Sequence, residues 1–210
     1  MIKETALKYM GYTNQELDEG FLELLDACVE EVKEVAHFKA TYVINEVEKP
    51  FTLKKYGIEI ASQDLIQALD TCQEVAIVAC TLGMAIDQRI RYYNATDMQK
   101  AIVFDAVASA YVEYCCNRYE DEVFGVHHSY RYAPGYGDIP LALNQDIYKL
   151  MNLHKKLGLS LDASSLFVPM KSMTGFVGLQ MDKQEKSCGR CKQKPHCGFL
   201  KRGTTCYKKN

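Results

Sequence analysis

The run EVAIVACTLGMAI most restricts how this chain can fold. From Val75 to Ile86 it is nearly continuous apolar sequence. Twelve residues are too few to cross a bilayer, which takes about 20 in a helix, so the run predicts buried core. EVAIVACTLG, a continuous apolar run ending at Gly83, is consistent with a buried strand.

The flanking sequence supplies partners for such a strand. HFKATYVINEV is rich in β-branched and aromatic residues and predicts a second strand, ended by Lys49-Pro50. GIEI predicts a short third. Between them and the apolar run, SQDLIQALDTC predicts a short helix with Ser62 as its N-cap. Nearer the N-terminus, Leu17, Phe21, Leu24, Cys28, Val32 and Val35 repeat at helical spacing behind a Thr13–Glu16 capping box. This predicts an amphipathic helix over 14–36, with Cys28 as a small apolar filler.

Beyond Gly83, helices are predicted over about 84–93 and 97–122, the second capped by Thr96. Ile102, Val103, Ala106, Ala110, Tyr114 and Asn117 mark one face of the second. Cys115 and Cys116 near its end point about 100° apart and read as packing residues. A further helix is predicted from Leu143 to Leu157, stopped by Gly158. SLFVPMKSMTGFVGLQM predicts two short strands, or a strand and an ordered loop. The fold class is therefore α+β, with helices outnumbering strands.

The formal net charge of -2 argues against a nucleic-acid binder driven by overall charge. MIKETALKYM lacks the apolar core and cleavage site of a signal peptide, so a cytoplasmic protein without a membrane segment is expected. Nine cysteines, an odd number without an export signal, argue against a disulfide framework.

At about Met181 the composition changes. Lysine and arginine dominate from there, and large aliphatic residues nearly vanish. The expected organisation is a main domain over 1–180 and a basic, cysteine-rich tail over 181–210. Such a tail cannot bury a core of its own. Cys188, Cys191, Cys197 and Cys206 give C-x2-C-x5-C-x8-C, a set able to place four thiolates on one metal. Structural zinc and an iron–sulfur cluster both accept such donors, and His196 is an alternative ligand.

The segment YRYAPGYGDIPLALNQ, Tyr130 to Gln145, concentrates unusual chemistry. The Arg131 guanidinium is a rigid fork of donors suited to a carboxylate or phosphate. Pro134 fixes a backbone angle, Gly135 and Gly137 open the main chain to close approach, and Tyr136 adds a flat face with a hydroxyl. The residues by themselves are also compatible with a rigid turn packing two elements.

RYAPGYGDIPL followed by Gln145, with FVPMKSMTGFVG some thirty residues on, resembles the activation domain of cobalamin-dependent methionine synthase and its stand-alone relatives. DAVASAYVEYCCNRYEDEVFG is similar to that family's long helix, and the resemblance spans roughly Leu65 to Leu179. It implies a loop that binds S-adenosylmethionine. Arg131 would pair with the ligand's carboxylate, Ala133 and Gly135 would give main-chain contacts, and Tyr136 would pack against or bond the ligand. Where the synthase has proline after Gly-Tyr, this chain has Gly137 and Asp138. The family also uses acids from the long helix and the N-terminal part. Glu113 is the nearest here, and Ser109 stands where an acid is expected.

The implied function is reductive reactivation of a corrinoid. A cobalt oxidised to Co(II) takes an electron and the methyl group of S-adenosylmethionine. The corrinoid would be supplied by a partner methyltransferase subunit, and an electron donor is needed as well. The protein's share is orientation, and no general base is required. His127 and His128 then read as backbone-bonded loop residues or, alternatively, as corrinoid contacts. Lys171 and Ser172 either shape the cleft or lie on the surface. A cluster in the tail could pass the electron. Two other readings stay open: an iron–sulfur redox carrier on the same scaffold, and a non-enzymatic binding module ordered by zinc.

Overall fold

The computed structural model describes residues 1–12, 15–48, 52–53, 58–59, 61–181, 194–203 and 205. The chain divides into two compact units. The first comprises Met1–Phe38, Leu82–Cys115 and Lys186–Asn210, the second Lys39–Thr81 and Cys116–Glu185.

The first unit is helical. Helix α1, Ile2–Met10, was not evident as a helix from its sequence and ends at Gly11 in the left-handed region. Helix α2 spans Glu19–Val35 and buries Phe21, Leu25, Cys28, Val29 and Val32, as the apolar repeat requires. Its cap is Asp18, whose carboxylate accepts the Phe21 N–H at 2.8 Å, and the segment ahead of it is not helical. Thr13 lies outside the described residues.

The second unit is built on an antiparallel sheet. Strands β1 (Lys39–Glu48), β2 (Thr52–Leu53) and β3 (Ile58–Glu59) precede α3 (Gln63–Ala68), and β4 covers Glu74–Thr81. Lys49-Pro50 and the ends of GIEI fall outside the described residues. The apolar run is β4 and holds a central place. It pairs with β1 (Val43 opposite Ile77) and with β7 (Ile77 opposite Phe176), and every residue from Val75 to Thr81 is buried. The sheet order is β3-β2-β1-β4-β7.

After β4 the chain returns to the first unit with α4, Met84–Thr96. Helix α5, Met98–Phe124, begins in the first unit and ends in the second. Its cap is Asp97, which accepts the Lys100 N–H at 3.0 Å, whereas the Thr96 hydroxyl bonds back to the Tyr92 carbonyl. The buried set is also wider than the predicted stripe: Phe104, Val107 and Ala108 are fully buried, while Ile102 is 55% exposed. Helix α6 (Leu143–Met151) and α7 (Leu153–Leu157) replace one predicted helix. They part at Asn152, which is left-handed, and α7 stops at Gly158 as expected.

Two short strands, β5 (Ser160–Leu161) and β6 (Phe167–Val168), pair with each other, and β7 spans Ser172–Gly178. Leu65, Leu69, Val75, Ile77, Ala79, Ile147, Met151, Leu153, Leu157 and Phe176 form the core beneath one sheet face. In the tail, a short 3-10 turn over Lys194–His196 precedes α8, Gly198–Lys201. Among the described residues no helix is long and apolar enough to cross a membrane.

Candidate functional site

The two halves of the sequence motif, some thirty residues apart, meet at β7. Tyr132 and Phe176 exchange both main-chain hydrogen bonds at 2.9 Å. Three residues earlier, Ser129 N–H donates to the Gly178 carbonyl at 2.9 Å, and the Ser129 hydroxyl accepts from Gly178 N–H at 2.8 Å. The segment leading into the loop is thereby held along the edge of the sheet.

Between these anchors Arg131 crosses β7 over Gly175. A Cβ on Gly175 would come within 2.8 Å of Arg131 Cδ and 3.0 Å of the Tyr132 carbonyl oxygen, closer than side chains tolerate. Glycine at 175 therefore seats the arginine stem. The guanidinium then meets the end of α5. Its Nη1 pairs with the Glu120 carboxylate and donates to Cys116 Sγ at 3.0 Å, and its Nη2 donates to Asn117 Oδ1 at 3.3 Å. The Arg131 and Glu120 side chains are only 11% and 3% exposed, whereas Asn117 is exposed. Burial disfavours the Arg131 charge, but the adjoining Cys116 and Glu120 outweigh it and raise its pKa. The guanidinium stays charged.

Arg131, expected to await a ligand's carboxylate, thus already has a carboxylate partner within the chain. That partner is Glu120, near the end of α5. Its sequence signal was helical spacing alone: Cys116, Asn117 and Glu120 lie within one turn of α5. Cys116 is fully buried, as the packing reading required, and its hydrogen bond with Cys80 of β4, together with burial, raises its thiol pKa.

The loop itself is a chain of tight turns. Tyr136 N–H donates to the Ala133 carbonyl, Gly135 N–H to the Ile139 carbonyl, and Ile139 N–H to the Tyr136 carbonyl, at 2.8–3.0 Å. Gly135 and Gly137 both take positive φ, 87° and 59°. Gly135, Tyr136 and Gly137 are exposed, Tyr136 by 57%. The Gly135 N–H is thus committed inside the loop, while the Ala133 carbonyl keeps a second lone pair.

Asp138, which stands past the family's pattern, fixes the loop's far side to α3. Its carboxylate accepts from the Ser62 hydroxyl at 2.5 Å, from Gln63 N–H at 2.9 Å and from Asp64 N–H at 3.2 Å. Asp64 answers by accepting Asp138 N–H at 3.2 Å. The predicted cap Ser62 accepts Leu65 N–H at 3.1 Å, so α3 carries a shared cap drawn from a distant loop. A Cβ on Gly137 would collide with Asp64, which accounts for glycine there.

His128 is buried, with Nδ1 at 2.8 Å from the Ser129 carbonyl oxygen and Nε2 at 3.0 Å from Asp121 Oδ1, matching the backbone-bonded reading. Ser172 bonds the Thr81 hydroxyl at 2.8 Å and the Pro169 carbonyl at 2.7 Å. Of the four tail cysteines, Cys188, Cys191 and Cys206 lie outside the described residues, and Cys197 is half-buried at the start of α8. Among the described residues no group of three or more His, Cys, Asp or Glu could hold a metal ion.

No family model matches the chain. No curated protein is similar to it in sequence either. The solved structures are informative: the crystal structure of the MetH reactivation domain bound to AdoHcy matches with a TM-score of 0.56. The match covers 82% of this chain and 70% of that one at 15% identity. This chain has the reactivation-domain fold. At that identity the likeness establishes architecture, an α+β arrangement of helices with an antiparallel sheet, and the resemblance noted from the motif residues falls within the same architecture.

Proposed function

We propose that this protein binds S-adenosylmethionine and supports reductive remethylation of a corrinoid carried by a separate cobalamin-dependent methyltransferase. The observation that carries the reading is the joining of the two motif halves. A charged guanidinium seated on Gly175 leads directly into an exposed, turn-locked loop at the sheet edge. The MetH domain sharing the fold has AdoHcy bound.

The residues present fit the amino-acid end of such a ligand. Arg131 supplies a charged donor whose Nη2 edge adjoins exposed Asn117, the Ala133 carbonyl can accept, and Tyr136 offers an exposed ring and hydroxyl. Gly135 contributes main-chain access rather than its committed N–H. S-adenosylmethionine supplies the methyl group. This chain's part is to hold and orient its carboxylate end, an entropic contribution that needs no acid or base. The partner supplies the corrinoid, and an electron donor completes the step. On this reading residues 1–180 act as the binding domain and 181–210 as a metal-binding tail, in a cytoplasmic protein.

Titration calorimetry with AdoHcy and S-adenosylmethionine tests the proposal. Wild type is expected to bind both, and Arg131→Ala to bind at least about tenfold more weakly, as loss of a shielded charged hydrogen bond predicts. Equal affinity in the two proteins would remove Arg131 from the site.

A further inference from the structure

Glu120 is unusual in being almost fully buried, at 2% exposure, with its carboxylate paired to Arg131. A buried ion pair gives back in attraction roughly what it costs in desolvation, so well-packed apolar residues would serve stability equally well. The pair also sits on a defined platform. Arg131 lies over Gly175, Cys116 accepts from the same Nη1 at 3.0 Å and donates toward Glu120 at 3.7 Å, and Cys116 itself is 0% exposed. One edge of the guanidinium is thereby fixed inside the protein. The other edge bonds Asn117, an exposed residue.

We infer that Glu120 is a positioning residue for the ligand site, holding the inner edge of Arg131 so that its outer edge meets the ligand's carboxylate in a set orientation. The inference rests on the proposed S-adenosylmethionine reading. Glu120 itself is too buried to touch the ligand and acts through Arg131. Two effects oppose each other. Removing the acid would raise the local positive charge and favour an anionic ligand. It would also free a flexible, rotamer-rich side chain that must then be ordered on binding. The geometry favours the second, because three partners on one guanidinium define a single pose.

The test is a double-mutant cycle read by AdoHcy affinity. Glu120→Gln is expected to weaken binding about tenfold, as loss of one shielded charged hydrogen bond implies. Glu120→Asp, which keeps the charge, is expected to lose less. In the Arg131→Ala background neither change should weaken binding further, an outcome that a merely structural role would not produce. Should Glu120→Gln fail to fold, the Glu120→Asp arm of the cycle carries the test. Unchanged or tighter binding by Glu120→Gln, or an equal loss in the Arg131→Ala background, overturns the inference alone. A wild type that does not bind AdoHcy overturns the proposed function, and the inference with it.

Discussion

Two glycines in one strand separate a site effect from a packing effect. Gly175 and Gly178 both lie in β7, and a Cβ at either would crowd its neighbours. At Gly175 the neighbours are the Arg131 stem and the Tyr132 carbonyl, and at Gly178 they are Met181 Sδ at 2.6 Å and Leu69 Cδ2 at 2.8 Å. Both substitutions to alanine should destabilise the protein by about 1–3 kcal/mol, the usual cost of overpacking. Only Gly175→Ala should also weaken AdoHcy binding, because only there is the displaced side chain the one proposed to hold the ligand. Thermal melts and calorimetry on the two variants check this, and equal affinity losses would refute it. Arg131 and the glycines around it stood out in the sequence as a constrained group. Glu120 did not, since a glutamate on a long charged helix is ordinarily a solvated one. Its burial follows from the tertiary placement of Arg131, which no local pattern carries.

At the scale of elements, the helical unit is tied by one carboxylate. Glu31 of α2 accepts from the Tyr93 hydroxyl of α4 at 2.5 Å, and it pairs with Lys100 of α5 at 2.9 Å and with Arg89 at 3.5 Å. Lys100 also lies 4.3 Å from the Tyr93 ring centroid. Burial pushes the Glu31 carboxyl up, but the Tyr93 hydroxyl, Lys100 and Arg89 outweigh it and hold its pKa below the ordinary value. A carboxyl depressed in the folded state contributes stability above its unfolded pKa, about 4.3, and loses it as pH falls through the lower folded value. Glu31→Gln should therefore cost about 1–2 kcal/mol at neutral pH. The difference from wild type should shrink once pH drops below about 4. Urea unfolding of both proteins at several pH values checks this, and a deficit independent of pH would remove the charge from the explanation. The apolar side of these helices was legible because burial obeys helical period. The caps were less so. Asp18 and Asp97 displaced Thr13 and Thr96 as readings of helix starts, since threonine and aspartate within a few residues of each other compete for one role. The shared cap of α3 and Asp138, with about seventy residues between its partners, has no local signature at all.

For the molecule as a whole, the sequence made the α+β architecture legible through β4, whose unbroken apolar character marked a buried strand. The tail obeys a different logic. It is basic and poor in aliphatic residues, so it cannot bury a core of its own, and the proposal is that its clustered cysteines order it by holding a metal. Of these, Cys197 stands half-buried at the start of α8. If Cys188, Cys191, Cys197 and Cys206 ligate one ion, wild type prepared anaerobically with zinc, or with iron and sulfide, should retain metal through gel filtration. Cys188→Ala combined with Cys191→Ala should lose it, because two remaining thiolates cannot close a tetrahedral site. Broad visible absorption would identify an iron–sulfur cluster, whereas colourless protein with stoichiometric zinc would identify a structural ion. AdoHcy affinity separates the metal's roles: a redox or docking tail leaves it unchanged in the double variant, while a tail that orders the binding domain does not. Metal content equal in wild type and double variant would show that these cysteines are not a ligand set, and would leave the electron to an external donor.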